Sequence, residues 1–202
     1  MSYLSLYLVT DRTMAGLRSV ADIVSEAVRG GCTMVQLREK ELSTREFLAE
    51  AQKLKEVLSG TGVPLIINDR VDIALAVGAD GVHLGQRDMP YEEARRLLGR
   101  DKIIGLSVEN MTDVEQANLL DVDYIGISPM FATSTKHDTA QPFGIEGARK
   151  AVHHSVHPCV AIGGITSENA HLVRETGVQG VAVVSAIMAS PDPCAAARQL
   201  RM

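Results

Sequence analysis

The sequence predicts an α/β protein, a single-domain (β/α)8 TIM barrel over residues 1–202, and three observations support this prediction. Eight short runs rich in Val, Ile and Leu recur along the chain, and a helical pattern follows each run. No linker, low-complexity tract or shift in composition divides the sequence, as a boundary between two domains would. The runs are LSLYLVT, MVQLRE, PLIIND, GVHLG, KIIGLSV, DYIGIS, PCVAIG and GVAVVS.

Most of these runs are apolar at consecutive positions and do not alternate with polar residues. This pattern is typical of strands that are covered on both faces, as in parallel sheets. A doubly wound open sheet is the alternative architecture. No G-x-G-x-x-G fingerprint follows the first run, which favours the closed barrel.

Residues that start or stop helices lie between the runs. Ser43, with Glu46 three positions later, fits a capping box at the start of the second helix. The other signals are Gly60 after that helix, Pro90 as the first residue of the fourth, Gly99 after its last turn, and Gly177 after a seventh helix over 167–176.

Composition limits the partners of this protein. The formal net charge is −5, no Lys/Arg block is present, and aromatic residues make up 3% with no Trp, so a nucleic-acid surface is not expected. No apolar run approaches the ~20 residues needed to span a bilayer. The start lacks a basic leader and a cleavage site, and the three cysteines show no C-x-x-C spacing. We expect a cytoplasmic protein with small-molecule partners; a homo-oligomer is left open.

Candidate functional residues lie at or just beyond the carboxyl ends of the runs, where a barrel of this type carries its functional groups. They are Gln36, Arg38 and Lys40 at the second run, Asn68 and Asp69 at the third, Asp88 at the fourth, Ser107 at the fifth, Thr133, Thr135 and Lys136 at the sixth, Gly163 and Gly164 at the seventh, and Val184 and Ser185 at the eighth.

The segments GGITSENA and VSAIM place small residues at the last two of these turns. Backbone N–H groups at such turns bind anions, and these two loops commonly hold a phosphate in this fold. The alternative is tight packing of glycine, with Ser185 as an ordinary N-cap. The presence of both segments in adjacent loops favours a phosphate site.

Charged residues predict a second anion site with a metal. Gln36, Arg38 and Lys40 alternate along the second run, so their side chains can face the same side. Asp69 and Asp88 end neighbouring strands; each could instead cap the helix that follows. Carboxylates would repel an anion unless a cation lies between, and Mg²⁺ is typically held by one or two carboxylates plus phosphate oxygens. We therefore predict a magnesium–pyrophosphate site.

The segment PMFATSTKHD, residues 129–138, follows the sixth run with three hydroxyl residues and a lysine. It fits either a surface turn or a loop that closes over an anion. Three histidines (His153, His154 and His157) are spaced like metal ligands, but they fall at a helix end, which disfavours a zinc site. His83 lies within a run and is interpreted as a buried core histidine.

With these residues assembled, the chain resembles the thiamine phosphate synthase family. The likeness extends over nearly the whole length and rests on VQLREK, IINDRVDIALAVGADGVHLGQRDMP, GLSVEN, SPMFATSTK, AIGGIT and VVSAI, in the family's order. The resemblance implies an Mg²⁺-dependent transferase that joins a hydroxymethylpyrimidine pyrophosphate to a thiazole phosphate. Pyrophosphate would leave first, from a carbocation-like pyrimidine, and the loop 129–138 would exclude water.

The resemblance also implies roles for individual residues. The pyrimidine pyrophosphate would be bound by Gln36, Leu37, Arg38, Glu39, Lys40, Asn68, Ser107 and Lys136. The metal would be held by Asp69 and Asp88. The thiazole phosphate would be bound by Thr133, Ser134, Thr135, Gly164, Val184 and Ser185. The catalytic residues would be Arg38, Lys40, Lys136 and Ser107.

Two other functions fit the same fold. A metal-independent thiazole tautomerase resembles this family but generally lacks the full Thr-x-Thr-Lys and two-Asp set, which this sequence contains. A non-catalytic sensor of a thiazole or thiamine phosphate would not need cations for a leaving group.

Overall fold

The protein forms a closed barrel of eight parallel strands, seen in a computed structural model that describes residues 3–132 and 141–201. Each strand pairs with the next along the chain, and the first strand pairs in parallel with the eighth, Leu8 lying opposite Val183. This closure confirms the predicted TIM barrel and excludes the open doubly wound sheet.

The strands all fall within the eight apolar runs. They are β1 Leu6–Val9, β2 Met34–Leu37, β3 Leu65–Asn68, β4 Gly81–Leu84, β5 Ile103–Val108, β6 Tyr124–Ile127, β7 Cys159–Ile162 and β8 Gly180–Val183. The described helices are α1 Val20–Arg29, α2 Thr44–Leu58, α3 Val71–Val77, α4 Tyr91–Leu98, α5 Met111–Ala117, α6 Gly144–His154, α7 Ala170–Arg174, α8 Ser185–Met188 and α9 Pro193–Arg201, with a 3-10 turn at Thr13–Ala15.

Consecutive apolar residues in a strand serve two separate cores. In β1, Leu6 and Leu8 pack in the outer layer between strands and helices, whereas Tyr7 and Val9 pack in a smaller cluster inside the barrel. The side chains of a strand point alternately to its two faces, and both faces are covered here. This is why the runs do not alternate with polar residues.

Space inside the barrel is made by glycine. Gly105 in β5 lies opposite Tyr124 in β6, and a Cβ atom at position 105 would lie 2.1 Å from the tyrosine ring carbon Cζ. A glycine within a strand often marks such a close approach. The ring of Tyr124 therefore occupies the position that a side chain of β5 would otherwise fill.

The predicted helix boundaries are mostly confirmed. Gly60 and Gly99 adopt positive φ just after α2 and α4. Pro90 precedes α4 and does not begin it, because its ψ of 147° is extended. The seventh helix is shorter than predicted because the Asn169 side chain accepts a hydrogen bond from the Thr166 amide (2.9 Å) and donates one to the Gly164 carbonyl (2.9 Å), which holds the preceding residues as a turn.

None of the helices among the described residues is both long enough and apolar enough to cross a membrane.

The start of α2 is fixed by the predicted capping box. The Ser43 hydroxyl accepts a hydrogen bond from the Glu46 amide (3.3 Å), and the Glu46 carboxylate accepts one from the Ser43 amide (3.0 Å). These contacts satisfy two amide groups that the first turn of a helix leaves without partners. They also anchor the chain immediately after Lys40.

We predict that Ser43→Ala lowers the free energy of unfolding by about 1 kcal/mol, because an N-cap side chain is lost. Urea denaturation measures the change. Ser59→Ala is the matched control, since Ser59 follows the last turn of the same helix and its side chain does not cap the first turn. Equal losses in the two variants would contradict the prediction.

Candidate active site

A cavity of about 760 Å³ opens at the carboxyl ends of the strands. It brings together residues that the sequence disperses over some 150 positions. The predicted site residues that line it are Gln36, Arg38, Lys40, Asn68, Asp69, Asp88, Ser107, Gly164, Val184 and Ser185.

Alternation along β2 and the residues just beyond it decides which side chains reach the cavity. Gln36, Arg38 and Lys40 line it, as expected from their spacing. The Leu37 side chain is fully buried in the outer layer, and the Glu39 carboxylate lies 3.1 Å from the Arg12 guanidinium. The side chains of Leu37 and Glu39 therefore lie away from the cavity, although the chain passes its edge.

The two predicted metal ligands share one lip of the cavity. The Asp69 carboxylate lies 2.5 Å from the Lys40 ammonium, and the Asp88 carboxylate accepts a hydrogen bond from the Gly85 amide at 2.7 Å. Asp69 has a φ of +62°, a backbone conformation that residues other than glycine seldom adopt. Its amide donates to the His83 carbonyl (2.9 Å), which continues the β3–β4 pairing beyond the strand and holds this conformation.

The carboxylates of Asp69 and Asp88 also influence one another's protonation. Burial acts to raise the pKa of Asp69, but hydrogen bonds from Asp88 and Lys40 outweigh it and lower this pKa below its usual value. Burial, together with the hydrogen bond and negative charge of Asp69, raises the pKa of Asp88. As the pH falls, Asp88 is therefore the first of the two carboxylates to take up a proton.

The glycine pair after β7 packs closely against the loop after β6. Both Gly163 (φ 107°) and Gly164 (φ 65°) have positive φ. A Cβ atom on Gly163 would lie 2.9 Å from the Pro129 side chain, and one on Gly164 would lie 2.9 Å from the Phe131 side chain. The packing explanation for these glycines is thus confirmed. It does not compete with an anion site, because both glycines also line the cavity.

Ser185 does not have the N-cap role that the sequence left open. It is the first residue of α8, the residue before it is Val184, and no side chain caps this helix. Its side chain instead belongs to the lining of the cavity, as does Val184. Thr133, Ser134, Thr135 and Lys136, and with them most of the loop predicted to close, lie outside the described residues.

A continuous set of hydrogen bonds crosses the floor of the cavity, and sequence reasoning did not predict it. The Gln36 amide nitrogen donates to the Tyr7 hydroxyl (2.7 Å), which lies 2.9 Å from the Tyr124 hydroxyl. The Tyr124 hydroxyl lies 3.0 Å from His83 Nδ1, and His83 Nε2 lies 2.8 Å from the Ser107 hydroxyl. We call these five residues the cross-barrel chain.

Three members of the cross-barrel chain, Tyr7, His83 and Tyr124, were missing from the sequence prediction. His83 is hydrogen-bonded, as a core histidine would be, but it also lines the cavity. A signal was present: tyrosine and histidine within apolar strands, together with glycines inside β5 and β6. Burial raises the pKa of Tyr7 and of Tyr124, so both hydroxyls stay protonated.

Two of the three histidines that are spaced like metal ligands direct a ring nitrogen at a backbone carbonyl. His154 Nδ1 lies 2.8 Å from the Lys150 carbonyl, and His157 Nε2 lies 3.0 Å from the Ala117 carbonyl, at the end of α6 and just beyond it. Within residues 3–132 and 141–201, no group of three or more His, Cys, Asp or Glu side chains is arranged to hold a metal ion. A cation at Asp69 and Asp88 would therefore need further oxygen ligands from a substrate or from water.

Known proteins resemble this chain over nearly its whole length. A family model described as thiamine monophosphate synthase matches residues 6–187. The thiamine-phosphate synthase of Albidiferax ferrireducens is 57% identical over 98% of this chain and 90% of its own length, and that of Vibrio parahaemolyticus is 53% identical over 96% and 95%. A solved structure of thiamine phosphate pyrophosphorylase from Pyrococcus furiosus superposes with a TM-score of 0.90 at 40% identity, over 98% of this chain and 94% of that one.

The barrel, the cavity at the carboxyl ends of its strands, and the extent of these matches lead to one assignment: the chain belongs to the thiamine monophosphate synthase family.

Proposed function

We propose that this protein is a thiamine-phosphate synthase, a transferase that joins the methylene carbon of a hydroxymethylpyrimidine pyrophosphate to the nitrogen of a thiazole phosphate and releases pyrophosphate. The chain would act as one catalytic domain over residues 1–202, on small molecules and in the cytoplasm. The observation that carries the proposal is the meeting of Lys40, Asp69 and Asp88 at one lip of a cavity that also contains Gln36 and Ser107.

The lip formed by these three residues suits a pyrophosphate with a divalent cation. Burial, together with the hydrogen bond and charge of Asp69, raises the pKa of Asp88, and a cation bound to both carboxylates would offset their repulsion. Mg²⁺ held by one or two carboxylates plus phosphate oxygens is a common arrangement. When bound, the ion would supply positive charge to the leaving pyrophosphate.

Cationic side chains have the same task. Lys40 contacts Asp69 at this lip, Arg38 lines the same cavity, and Lys136 is proposed to join them from the loop after β6. Negative charge develops on the pyrophosphate as the C–O bond breaks, and fixed cations stabilise it without reorganisation. This is why we assign these three residues to catalysis.

The pyrimidine ring is proposed to lie deeper, against Gln36, Asn68 and Ser107. Gln36 and Asn68 are both buried, so any bond they form with a ligand is shielded from water. The amino group of the ring donates electrons toward the exocyclic carbon, which lets the C–O bond break before the new bond forms. Leu37 and Glu39, whose side chains face away, would contribute only through their backbone.

The thiazole phosphate is proposed to bind at the opposite lip, at Gly164, Val184 and Ser185, with Thr133, Ser134 and Thr135 completing the site. The helices here are short, α7 with five residues and α8 with four, so backbone amides of the loops would be the main donors. A thiazole fixed by its phosphate meets the pyrimidine as a neighbour in one cavity. Its ring nitrogen is already a nucleophile, and the attack requires no general base.

The direct test is to incubate the purified protein with both phosphorylated substrates, with and without Mg²⁺, and to measure released pyrophosphate. We expect release that depends on Mg²⁺ and yields thiamine phosphate. Isomerisation of a thiazole carboxylate phosphate in the presence of EDTA, without pyrophosphate release, would establish the tautomerase function instead.

We predict that Lys40→Ala slows turnover at saturating substrates by more than about tenfold, since a lost charge contact to the leaving group should exceed ~1.4 kcal/mol. We expect a comparable loss for Lys136→Ala. Pyrophosphate release in a stopped assay measures both rates. Lys53→Ala, at an exposed position of α2, is the control for loss of a lysine and should retain full activity. Turnover unchanged by Lys40→Ala would remove Lys40 from the reaction.

A second prediction concerns the metal. Asp88→Asn removes one anionic ligand, and we expect the Mg²⁺ concentration for half-maximal activity to rise at least about tenfold. Mg²⁺ titration of initial rates gives this value. Asp101→Asn is the matched control. It removes the same charge at an exposed turn before β5, outside the cavity lining, and should leave the titration unchanged. Identical titration curves for wild type and Asp88→Asn would exclude Asp88 as a ligand.

The protonation of Asp88 predicts a pH effect on metal binding. Its pKa is raised, so lowering the pH from neutral through mildly acidic values protonates Asp88 earlier than an ordinary aspartate. The half-maximal Mg²⁺ concentration should therefore rise as the pH falls, and this rise should be smaller in Asp88→Asn. Changes in the substrate's own protonation affect both proteins equally, so equal slopes would rule out Asp88 as the cause.

A further inference from the structure

We propose that Tyr7, Tyr124 and His83 are positioning residues that fix the direction of hydrogen bonding through the cross-barrel chain, and that this direction makes the site select an aminopyrimidine over its oxo analogue. The identity of the ligand rests on the proposed function. The direction of hydrogen bonding through the cross-barrel chain rests on the contacts of its five side chains.

The direction begins at Gln36. Its amide nitrogen faces Tyr7 and donates to the tyrosine hydroxyl. Tyr7 is fully buried, and the only other partner of its hydroxyl among the described residues is the Tyr124 hydroxyl. A buried hydroxyl proton without an acceptor is costly, so Tyr7 donates to Tyr124.

The same reasoning carries the direction to His83. Tyr124 is also fully buried, and its hydroxyl already accepts from Tyr7, so it donates to His83 Nδ1. A neutral imidazole that accepts at Nδ1 carries its hydrogen on Nε2. His83 Nε2 then donates to the Ser107 hydroxyl oxygen at 2.8 Å.

The two ends of the chain are thereby given opposite properties. The Ser107 hydroxyl accepts from His83, so its own proton is available to donate to a ligand. The Gln36 amide uses its nitrogen for Tyr7, so its carbonyl oxygen is available to accept. Both residues line the cavity. The site thus presents one acceptor and one donor, and neither can reverse without reversing the whole chain.

An aminopyrimidine matches this pair. Its amino group donates and its adjacent ring nitrogen accepts, which complements the Gln36 oxygen and the Ser107 proton. In the oxo analogue the carbonyl accepts and the ring nitrogen donates, so acceptor would face acceptor and donor would face donor. Sites that hydrogen-bond a polar group discriminate strongly because a mismatch leaves buried groups unpaired.

The aromatic and imidazole rings of the cross-barrel chain are held in position by packing. The His83 and Tyr124 rings stack with centroids 5.5 Å apart, and the Tyr7 ring meets Tyr124 edge-on at 5.9 Å. A Cβ atom on Gly126 would lie 3.2 Å from His83 Cε1. Gly105 and Gly126 thus leave room for the rings of Tyr124 and His83, and this packing holds their hydroxyl and imidazole groups within hydrogen-bonding distance of each other.

The first experiment determines the direction of hydrogen bonding from the tautomer of His83 and needs no substrate. Nitrogen-15 NMR of the full chain with labelled histidine distinguishes the two neutral tautomers, and His83→Asn assigns the signal. We expect the hydrogen on Nε2 of His83. In Tyr124→Phe, where Nδ1 has lost its donor, the preference should weaken. A hydrogen on Nδ1 in the wild type would show that the chain runs in the opposite direction and would overturn the proposal.

The second experiment reads the consequence for selectivity. The ratio of kcat/KM for the amino and oxo pyrimidine pyrophosphates is compared between wild type, Tyr7→Phe and Tyr124→Phe. Intrinsic differences in the reactivity of the two rings cancel in this comparison. We expect the ratio to fall by about tenfold or more in each variant. Tyr91→Phe is the matched control, since the Tyr91 hydroxyl donates to the Asp121 carbonyl away from the cavity.

The outcomes separate this proposal from the proposed function. A ratio unchanged by both Tyr→Phe variants would reduce the tyrosines to packing residues and overturn the selectivity, even if the enzyme is active. Absence of pyrophosphate release from the wild type would overturn the proposed function and, with it, the choice of ligand. The tautomer of His83 would still decide the direction of the chain.

Discussion

Each strand of a closed parallel barrel turns alternate side chains inward, and its carboxyl end reaches the same rim as the ends of its neighbours. In this protein that constraint decides which residues can meet. It brings Gln36, Arg38 and Lys40 into the cavity and sends Leu37 and Glu39 to the outer layer or its edge, although all five are consecutive. A shift of β2 by one residue would exchange the two sets.

The same constraint accounts for the electrostatics of the rim. Asp69 and Asp88 leave neighbouring strands, so their carboxylates are forced together, and partial burial makes their repulsion costly. Lys40 relieves part of this repulsion through its contact with Asp69. Burial, together with the hydrogen bond and charge of Asp69, still raises the pKa of Asp88. The fold thus keeps two carboxylates together at one lip of the cavity, and carboxylate oxygens are the ligands that a divalent cation such as Mg²⁺ prefers.

Much of the fold could be predicted from the sequence because strand and helix signals are local. Eight apolar runs, the Ser43 capping box and the glycines after α2 and α4 each depend on a few adjacent residues. The rim residues could be predicted as well, since a barrel places every strand end on one side. The predicted start of α4 at Pro90 and the predicted length of α7 were less accurate. They depend on the ψ angle of the proline and on the side-chain hydrogen bonds of Asn169, which the sequence pattern does not reveal.

The part of the site that could not be predicted depends on contacts between distant strands. Tyr7 and Tyr124 are 117 positions apart, and no local pattern indicates that their hydroxyls meet. His83 was interpreted as a core histidine, which describes its hydrogen bonds but not its place beside the cavity. Gly105 and Gly126 were clues to this arrangement. Each is informative only once the ring that occupies the adjacent space is known.

The glycine pair after β7 has a consequence for how this scaffold can change. Met130 and Phe131 donate to the carbonyls of Ile162 and Gly163, so the stem of the loop after β6 is bonded to the loop after β7 as well as packed against its glycines. A side chain at position 163 or 164 would push the two segments apart. Grafting new loops onto this barrel to alter its chemistry would therefore have to transfer these two as a matched pair, since either one alone would meet a neighbour of the wrong shape.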